Sequence, residues 1–405
     1  MTTQHSIQAP LEVEGERLQR FPLAGVRVLD LSRLLPGPFA TLVLADLGAE
    51  VDKIEDPGAG DYLRLMPPLV GGMGAAYQLL NRGKRSAVID LKSKAGVETL
   101  LSLVPRYDIL IESFRPGVME RLGLGYEKLA QLHPGLIYCA ITGYGQDGPL
   151  AHRAGHDLNY LARAGVLGLT GPEGGPPQVP GVQMADIGGG ALFAVTGILA
   201  ALHARAVTKR GRFVDVSMCE GALAFGTFGL AGAFGGDTYG PGGGPLSGGL
   251  APFACYQTKD GRAVALGALE PKFWMSFCAS VGIEAGMDAL MPGPHQIAWK
   301  EKLSALFVTR TLSEWKAHAE AGDYCLEPVL LPHEVPSDPQ HRARGAIVDL
   351  PADGGGTLPH VRTPTAASPE RSDAPDKGRD TDAVLGDAGL APAQIASLRA
   401  QGAIG

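Results

Sequence analysis

The run Val26-Arg27-Val28-Leu29-Asp30-Leu31, broken by Ser32-Arg33-Leu34-Leu35-Pro36-Gly37-Pro38 and resumed by Val51-Asp52-Lys53-Ile54-Glu55, decides the fold. Residues 26–31 alternate branched apolar and other side chains, which is the pattern of a strand. The proline-glycine cluster ends it. Residues 39–47 are apolar at helical spacing and stop at Gly48, a residue that suits a helix end. Residues 51–55 read as the next strand. Strand, helix and strand in that order make one βαβ unit.

The same rhythm continues outward. Strands are predicted over 86–91, 109–112, 136–142 and 212–218. Helices are predicted over 95–104, around 117–121 and 127–132, and over 157–167 and 188–204. Alternation of this kind predicts an α/β fold with a large Rossmann-like parallel sheet covered on both faces. Residues 1–22 read as an N-terminal arm and 23–220 as the first part of this large domain. The glycine-rich stretch 221–249 reads as a linker. A hairpin follows, over 254–258 and 262–266, turning at Lys259-Asp260-Gly261. With helices over 271–281, 297–310 and 312–321, it defines a smaller α+β domain at 250–330. Residues 331–405 read as a return linker and the C-terminal part of the large domain, with 350–380 wrapping a surface and one or two helices in 380–399.

The 405 residues carry a formal net charge of −7 and a pI near 5.8. That excludes a basic footprint for nucleic acid or an anionic membrane. Hydrophobic residues at 45% and charged residues at 19% fit a globular chain rather than a disordered one. Glycine is abundant, 57 residues, which is about twice the usual ~7% and suggests many tight turns. The five cysteines are scattered without a C-x-x-C pair, so a reducing compartment is expected. No apolar signal core opens the chain. The most apolar helical stretch, 191–202, falls short of the ~20 residues a bilayer requires. A cytoplasmic protein is the expectation.

Three common α/β chemistries lack their motifs. The turn after Leu31 does not read G-x-G-x-x-G, so its backbone is not shaped for a dinucleotide pyrophosphate. There is no G-x-x-x-x-G-K-[ST] and no G-x-S-x-G. No metal-ligand spacing is evident either, so neither a nicotinamide nor a metal is expected.

The residues that can carry chemistry stand at predicted helix starts. His156-Asp157 follows Gly155, and Asp186 precedes Gly188-Gly189-Gly190. Either aspartate could simply cap its helix. The functional alternative is acid–base chemistry beside the positive end of a helix, which favours a developing anion. Glu270 stands before Pro271, at the end of the second hairpin strand. Arg82, Lys84 and Arg85 read either as a solvated face or as a phosphate site at a strand entrance. Phe114-Arg115-Pro116-Gly117 and Arg121 follow a strand end, where α/β proteins place ligands.

Several stretches together resemble the type III CoA-transferase family, also called CaiB/BaiF-like, and within it the 2-methylacyl-CoA racemase branch. They are Leu35-Pro36-Gly37-Pro38-Phe39, Ala45-Asp46-Leu47-Gly48-Ala49-Glu50-Val51 and Asn81-Arg82-Gly83-Lys84-Arg85-Ser86. Residues 114–123 and 142–149 add to them, and the resemblance runs from about 23 to 405. In the transferases the position of Asp157 forms an acyl anhydride. The racemases precede that aspartate with histidine, as at Gly155-His156-Asp157, and add an aspartate matching Asp186. They also carry a segment matching Gly267-Ala268-Leu269-Glu270-Pro271. Two departures stand out. Asp56 occupies a position where the family usually has an arginine that meets the CoA phosphates, and the loop 61–78 is longer than in the racemases.

The resemblance implies an isomerase of acyl-CoA (fatty-acid) metabolism that needs no cofactor and takes the CoA thioester as substrate. His156 and Asp186 would exchange the α-proton on opposite faces through an enolate. Backbone N–H groups near Asp157 would steady the enolate oxygen, and Glu270 would orient His156 from another domain or another chain. CoA would lie along Ile89-Asp90-Leu91-Lys92 and along Gly155, Leu158, Asn159 and Tyr160, with Arg121 near its phosphates. The partner implied is a second copy of the chain, in a homodimer interlocked like linked rings. The alternative is a CoA-transferase using Asp157.

Overall fold

The structure is a computed structural model that describes residues 18–351, 356–364 and 373–405. Most of the predicted N-terminal arm, and the middle of the 350–380 stretch, lie outside the described residues. The chain divides into two compact units. Among the described residues, one comprises 18–160, 183–222 and those from 336 onward, the other 161–182 and 223–335.

The first unit is built on six parallel strands: β1 (Arg27–Asp30), β2 (Glu50–Glu55), β3 (Arg85–Val88), β4 (Ile109–Glu112), β5 (Ile137–Thr142) and β6 (Phe213–Ser217). They lie in the order β3-β2-β1-β4-β5-β6, and every pairing is parallel. The order reverses between β1 and β4, which is the doubly wound arrangement that leaves a ligand crevice at the strands' carboxyl ends. Buried Leu29, Leu110, Tyr138 and Ala140 form a core with Leu100, Leu103 and Leu129 from the crossover helices. The chain's end closes on this unit. Ile404 bridges Ile89, and Asp90 N–H donates to Ala403 O.

The helix predicted over 188–204 is longer, and the short span expected from 191–202 is corrected. A π-helical segment, Met184–Leu192, runs directly into the α-helix Phe193–Thr208. At 25 residues it is long and apolar enough to cross a membrane. One face packs against β5, β6 and the helix Pro36–Asp46, while Leu192, Phe193, Leu199 and Val207 stay exposed. Its glycines permit that packing. A Cβ on Gly221 would stand 2.1 Å from Gly189 O, so the two backbones meet where no side chain fits.

The charge run at 82–85 matches neither of its two predicted readings. Arg82 is buried in a bidentate pair with Asp46. Lys84 Nζ lies buried against Pro38 O at 2.9 Å and Asp30 at 3.5 Å. Arg85 forks onto Asp52 at 2.6 and 2.8 Å and reaches Asp387. Every one of these cations has an internal partner, leaving none for a phosphate.

The second unit holds an antiparallel sheet, β7 (Phe253–Gln257), β8 (Ala263–Gly267) and β9 (Leu326–Pro328), in the order β9-β8-β7. The helices Pro271–Val281, Gln296–Phe307 and Leu312–Glu320 cover one face. Buried Trp274, Phe277, Phe307 and Trp315 form its core, with Trp315 Nε1–H donating to Phe307 O at 2.8 Å. The stretch predicted as a plain linker contains two helices, Met218–Phe225 and Thr227–Phe234.

Candidate active site

Two cavities open at the carboxyl ends of β1–β6, both within the first unit. One, of about 530 Å³, is walled by residues after β1, β2 and β3, among them Arg33, Asp56, Asp61 and Tyr62. Ile89, Asp90, Leu91 and Lys92, the segment expected to hold CoA, all line it. Ser93 ends that segment by capping the helix Lys94–Leu103, its hydroxyl accepting from Gly96 N–H at 3.0 Å. The other cavity, of about 720 Å³, is lined by His156 and Asp186 together with Gly155, Asn159, Tyr160 and Arg115.

A carboxylate ties the two helix starts of this second cavity together. Asp157 Oδ1 accepts from Ala185 N–H at 2.7 Å and from Asp186 N–H at 2.9 Å. This is a cap across 28 residues of sequence, given to the helix that begins at Met184 rather than to Asp157's own. Asp157 is not in the cavity lining, whereas its neighbour His156 is. His156 N–H donates to Asn159 Oδ1 at 3.0 Å, so that amide is spent. The N–H groups of Asp157 and Leu158, in the first turn of the helix Asp157–Arg163, have no carbonyl four residues back in their helix. Tyr160 O–H donates to Gly155 O at 2.6 Å and fixes the turn that carries His156.

Asp186 is the half-buried carboxyl of this cavity. Its Oδ1 is buried without a hydrogen-bond partner. Burial, and then the Asp157 charge, push its carboxyl up to about 7. A group at that value is populated in both protonation states near neutrality, as acid–base work requires.

The floor beneath both cavities is the turn after β1. Leu34 there sits at φ +64°, a left-handed conformation that is costly for a leucine. Its N–H donates to Asp61 Oδ1 at 3.3 Å. Asp61 is in turn paired with the fully buried Lys53 at 3.0 Å. Asp30 closes the other side, accepting from Ser32 N–H at 2.9 Å and Thr41 O–H at 2.6 Å. Lys84 stands beside it, pulled down by burial to about 7.

The sequence-predicted residues thus fall into groups. His156 and Asp186 share a cavity, and Gly155, Asn159 and Tyr160 join them. Neither cavity's lining includes Arg121 or Leu158. Glu270 belongs to the second unit, at the N-cap of the helix Pro271–Val281, without a side-chain cap bond. Arg33 and Val118 line both cavities yet were not singled out. The signal available was their position just past the ends of β1 and β4, where this sheet order puts ligands. Among the described residues, no group of three His, Cys, Asp or Glu side chains is placed to hold a metal.

A doubly wound sheet with two cavities side by side at its carboxyl edge suits an enzyme acting on a small-molecule substrate. Comparison with known proteins is specific: CoA-transferase family III matches residues 23–381, and the chain belongs to that family. The mouse protein described as alpha-methylacyl-CoA racemase is 37% identical over 382 residues, covering 93% of this chain and 96% of that protein. Mouse succinyl-CoA:glutarate CoA-transferase is 35% identical over 336 residues, covering 81% and 77%. The crystal structure of a CAIB/BAIF family protein from Brucella suis superimposes with a TM-score of 0.78 at 30% identity, covering 91% of this chain and all of that one. Enzymes of this family act on CoA thioesters without a further cofactor.

Proposed function

We propose that the protein is a racemase of 2-methylacyl-CoA thioesters working by two-base 1,1-proton transfer. The observation that carries this reading is the different disposition of neighbouring side chains. His156 and Asp186 face one cavity, while an oxygen of Asp157, the nucleophile a transferase would need, is engaged by two backbone amides. One of the pair removes the proton at C2, the other returns one to the opposite face, and the roles exchange with the hand of the substrate. Backbone N–H groups at the start of the helix Asp157–Arg163 would stabilise the enolate oxygen. Glu270 would orient the His156 imidazole, contributed by a second chain of an interlocked homodimer. The exposed Leu199 and Val207 of the first unit, and Phe228 and Phe234 of the second, support association of copies. The five thiols are free, which favours work in the cytoplasm.

The test is incubation of one pure (2R)-2-methylacyl-CoA in D₂O. Inversion at C2 accompanied by deuterium at C2 is expected. The transferase reading has its own support in the succinyl-CoA:glutarate CoA-transferase relatives. An acyl-enzyme trapped by hydroxylamine and lost in Asp157→Ala, with no inversion, would establish transfer instead.

A further inference from the structure

The two cavities share three lining residues, Arg33, Phe114 and Val118. A CoA thioester whose nucleotide lies against Ile89-Asp90-Leu91-Lys92 and whose C2 lies between His156 and Asp186 must pass them. Arg33 alone of the three is charged. The part of CoA that joins nucleotide to pantetheine arm is the diphosphate, and a diphosphate at this junction needs a cation.

Among the other cations of the two linings, Lys92 faces only the first cavity and Arg115 and Arg153 only the second, so none of them stands at the junction. Asp56, where the family usually carries an arginine, faces the first cavity, and its carboxylate accepts from Gly58 N–H at 2.8 Å. Lys53 is buried and paired with Asp61. Arg121 lines neither cavity. Arg33 is instead exposed and pre-positioned. Its guanidinium lies 4.8 Å from the centroid of the Tyr62 ring, and its Nη1–H donates to Tyr62 O–H at 3.0 Å. The backbone beneath is pinned by Leu34 N–H on Asp61, so the side chain projects from a fixed base.

We propose that Arg33 is the residue of this chain that binds the CoA diphosphate, held in place by Tyr62 and replacing the arginine lost at position 56. The inference rests on the reading that the ligand is a CoA thioester and holds for racemase and transferase alike.

The experiment measures, by calorimetry, binding of free CoA, dephospho-CoA and pantetheine to the full chain. Wild type binds CoA. Arg33→Gln weakens CoA and dephospho-CoA alike, by roughly 10- to 100-fold, the loss of a charge-assisted phosphate contact. Pantetheine binding is unchanged. Tyr62→Phe keeps the stack, loses the hydrogen bond and gives a smaller loss for CoA. Asp56→Arg in the Arg33→Gln background recovers CoA affinity. Equal CoA binding by wild type and Arg33→Gln overturns the proposal, as does an equal loss for pantetheine. A loss seen with CoA but absent with dephospho-CoA moves the contact to the 3′-phosphate and overturns the diphosphate assignment. Absence of CoA binding by the wild type would instead remove the thioester reading itself.

Discussion

Asp157 holds the backbone of Asp186: one carboxylate oxygen takes the Asp186 N–H at 2.9 Å while its negative charge helps raise the Asp186 carboxyl. The first effect fixes where Asp186 points, and the second helps set when it gives up its proton. An aspartate outside the cavity lining thereby governs one inside it.

Asp157→Asn separates these effects, because an amide oxygen still accepts both N–H bonds but carries no charge. Removing a negative neighbour favours the ionised form of Asp186, so its pKa falls from about 7. Burial is the larger cause and remains, so the acidic limb of the pH–rate profile for C2 deuterium exchange moves down only part of the way towards the ordinary carboxylate range. A transferase using Asp157 as nucleophile would lose turnover altogether in this variant.

His156→Ala and Asp186→Asn divide the reaction by face. Each is expected to stop proton removal from one enantiomer, by at least the ~10²–10⁴-fold of general acid–base catalysis. Each leaves some deuterium exchange with the opposite enantiomer. Exchange measured separately on the pure 2R and 2S thioesters, with thermal melting as the check on folding, reads this out. Loss of exchange with the same enantiomer in both variants would rule out two bases.

The Arg82–Asp46 pair is a structural element, and its removal is costly one partner at a time. Arg82→Ala leaves a buried carboxylate without its fork and is expected to cost about 3–5 kcal/mol in urea unfolding. The double variant Arg82→Met with Asp46→Leu removes both charges and recovers most of that loss. CoA affinity of the folded double variant stays near wild type if the pair has no phosphate role.

Glu112 offers a pH test of stability. It is buried at the end of β4, accepting Phe114 N–H at 2.6 Å. Burial pushes its carboxyl up to about 8. The folded chain therefore keeps this proton between about 4.5 and 8, while the unfolded chain releases it. The group's favourable contribution is full below 4.5 and is lost as pH rises towards 8. Glu112→Gln keeps an acceptor and cannot ionise, so the difference in Tm between variant and wild type should grow in the variant's favour from pH 5 to pH 9. A difference independent of pH would mean that Glu112 ionises as usual.

The first βαβ unit was legible because alternation and helical spacing are local properties. Strand β1 was expected over 26–31 and is found at Arg27–Asp30, and the hairpin expected over 254–266 is found as β7 and β8. That His156 and Asp186 line one cavity fits their reading as candidates, each standing at a predicted helix start. The hydrogen bonds between Asp157 and the 185–186 backbone were not legible, since nothing local encodes a contact made across 28 positions. The same holds for Arg82, whose partner Asp46 lies 36 residues away. A run of cations looks alike whether it faces water or a buried carboxylate. The helix predicted over 188–204 was legible, but its π-helical start at Met184–Leu192 was not, since the contact of Gly189 with Gly221 joins distant stretches of sequence. Strand β9, at three residues, is too short to show any period.

The closure of Ala403 and Ile404 onto Ile89 and Asp90 bears on how the protein is made. Residues 89–92 leave the ribosome more than 300 positions before the segment that covers their sheet edge. Until synthesis reaches residue 404, the wall of the first cavity carries an unsatisfied edge, with the hazard of pairing with another nascent chain. The wall formed by residues 89–92 is therefore among the last features of the sheet to be completed.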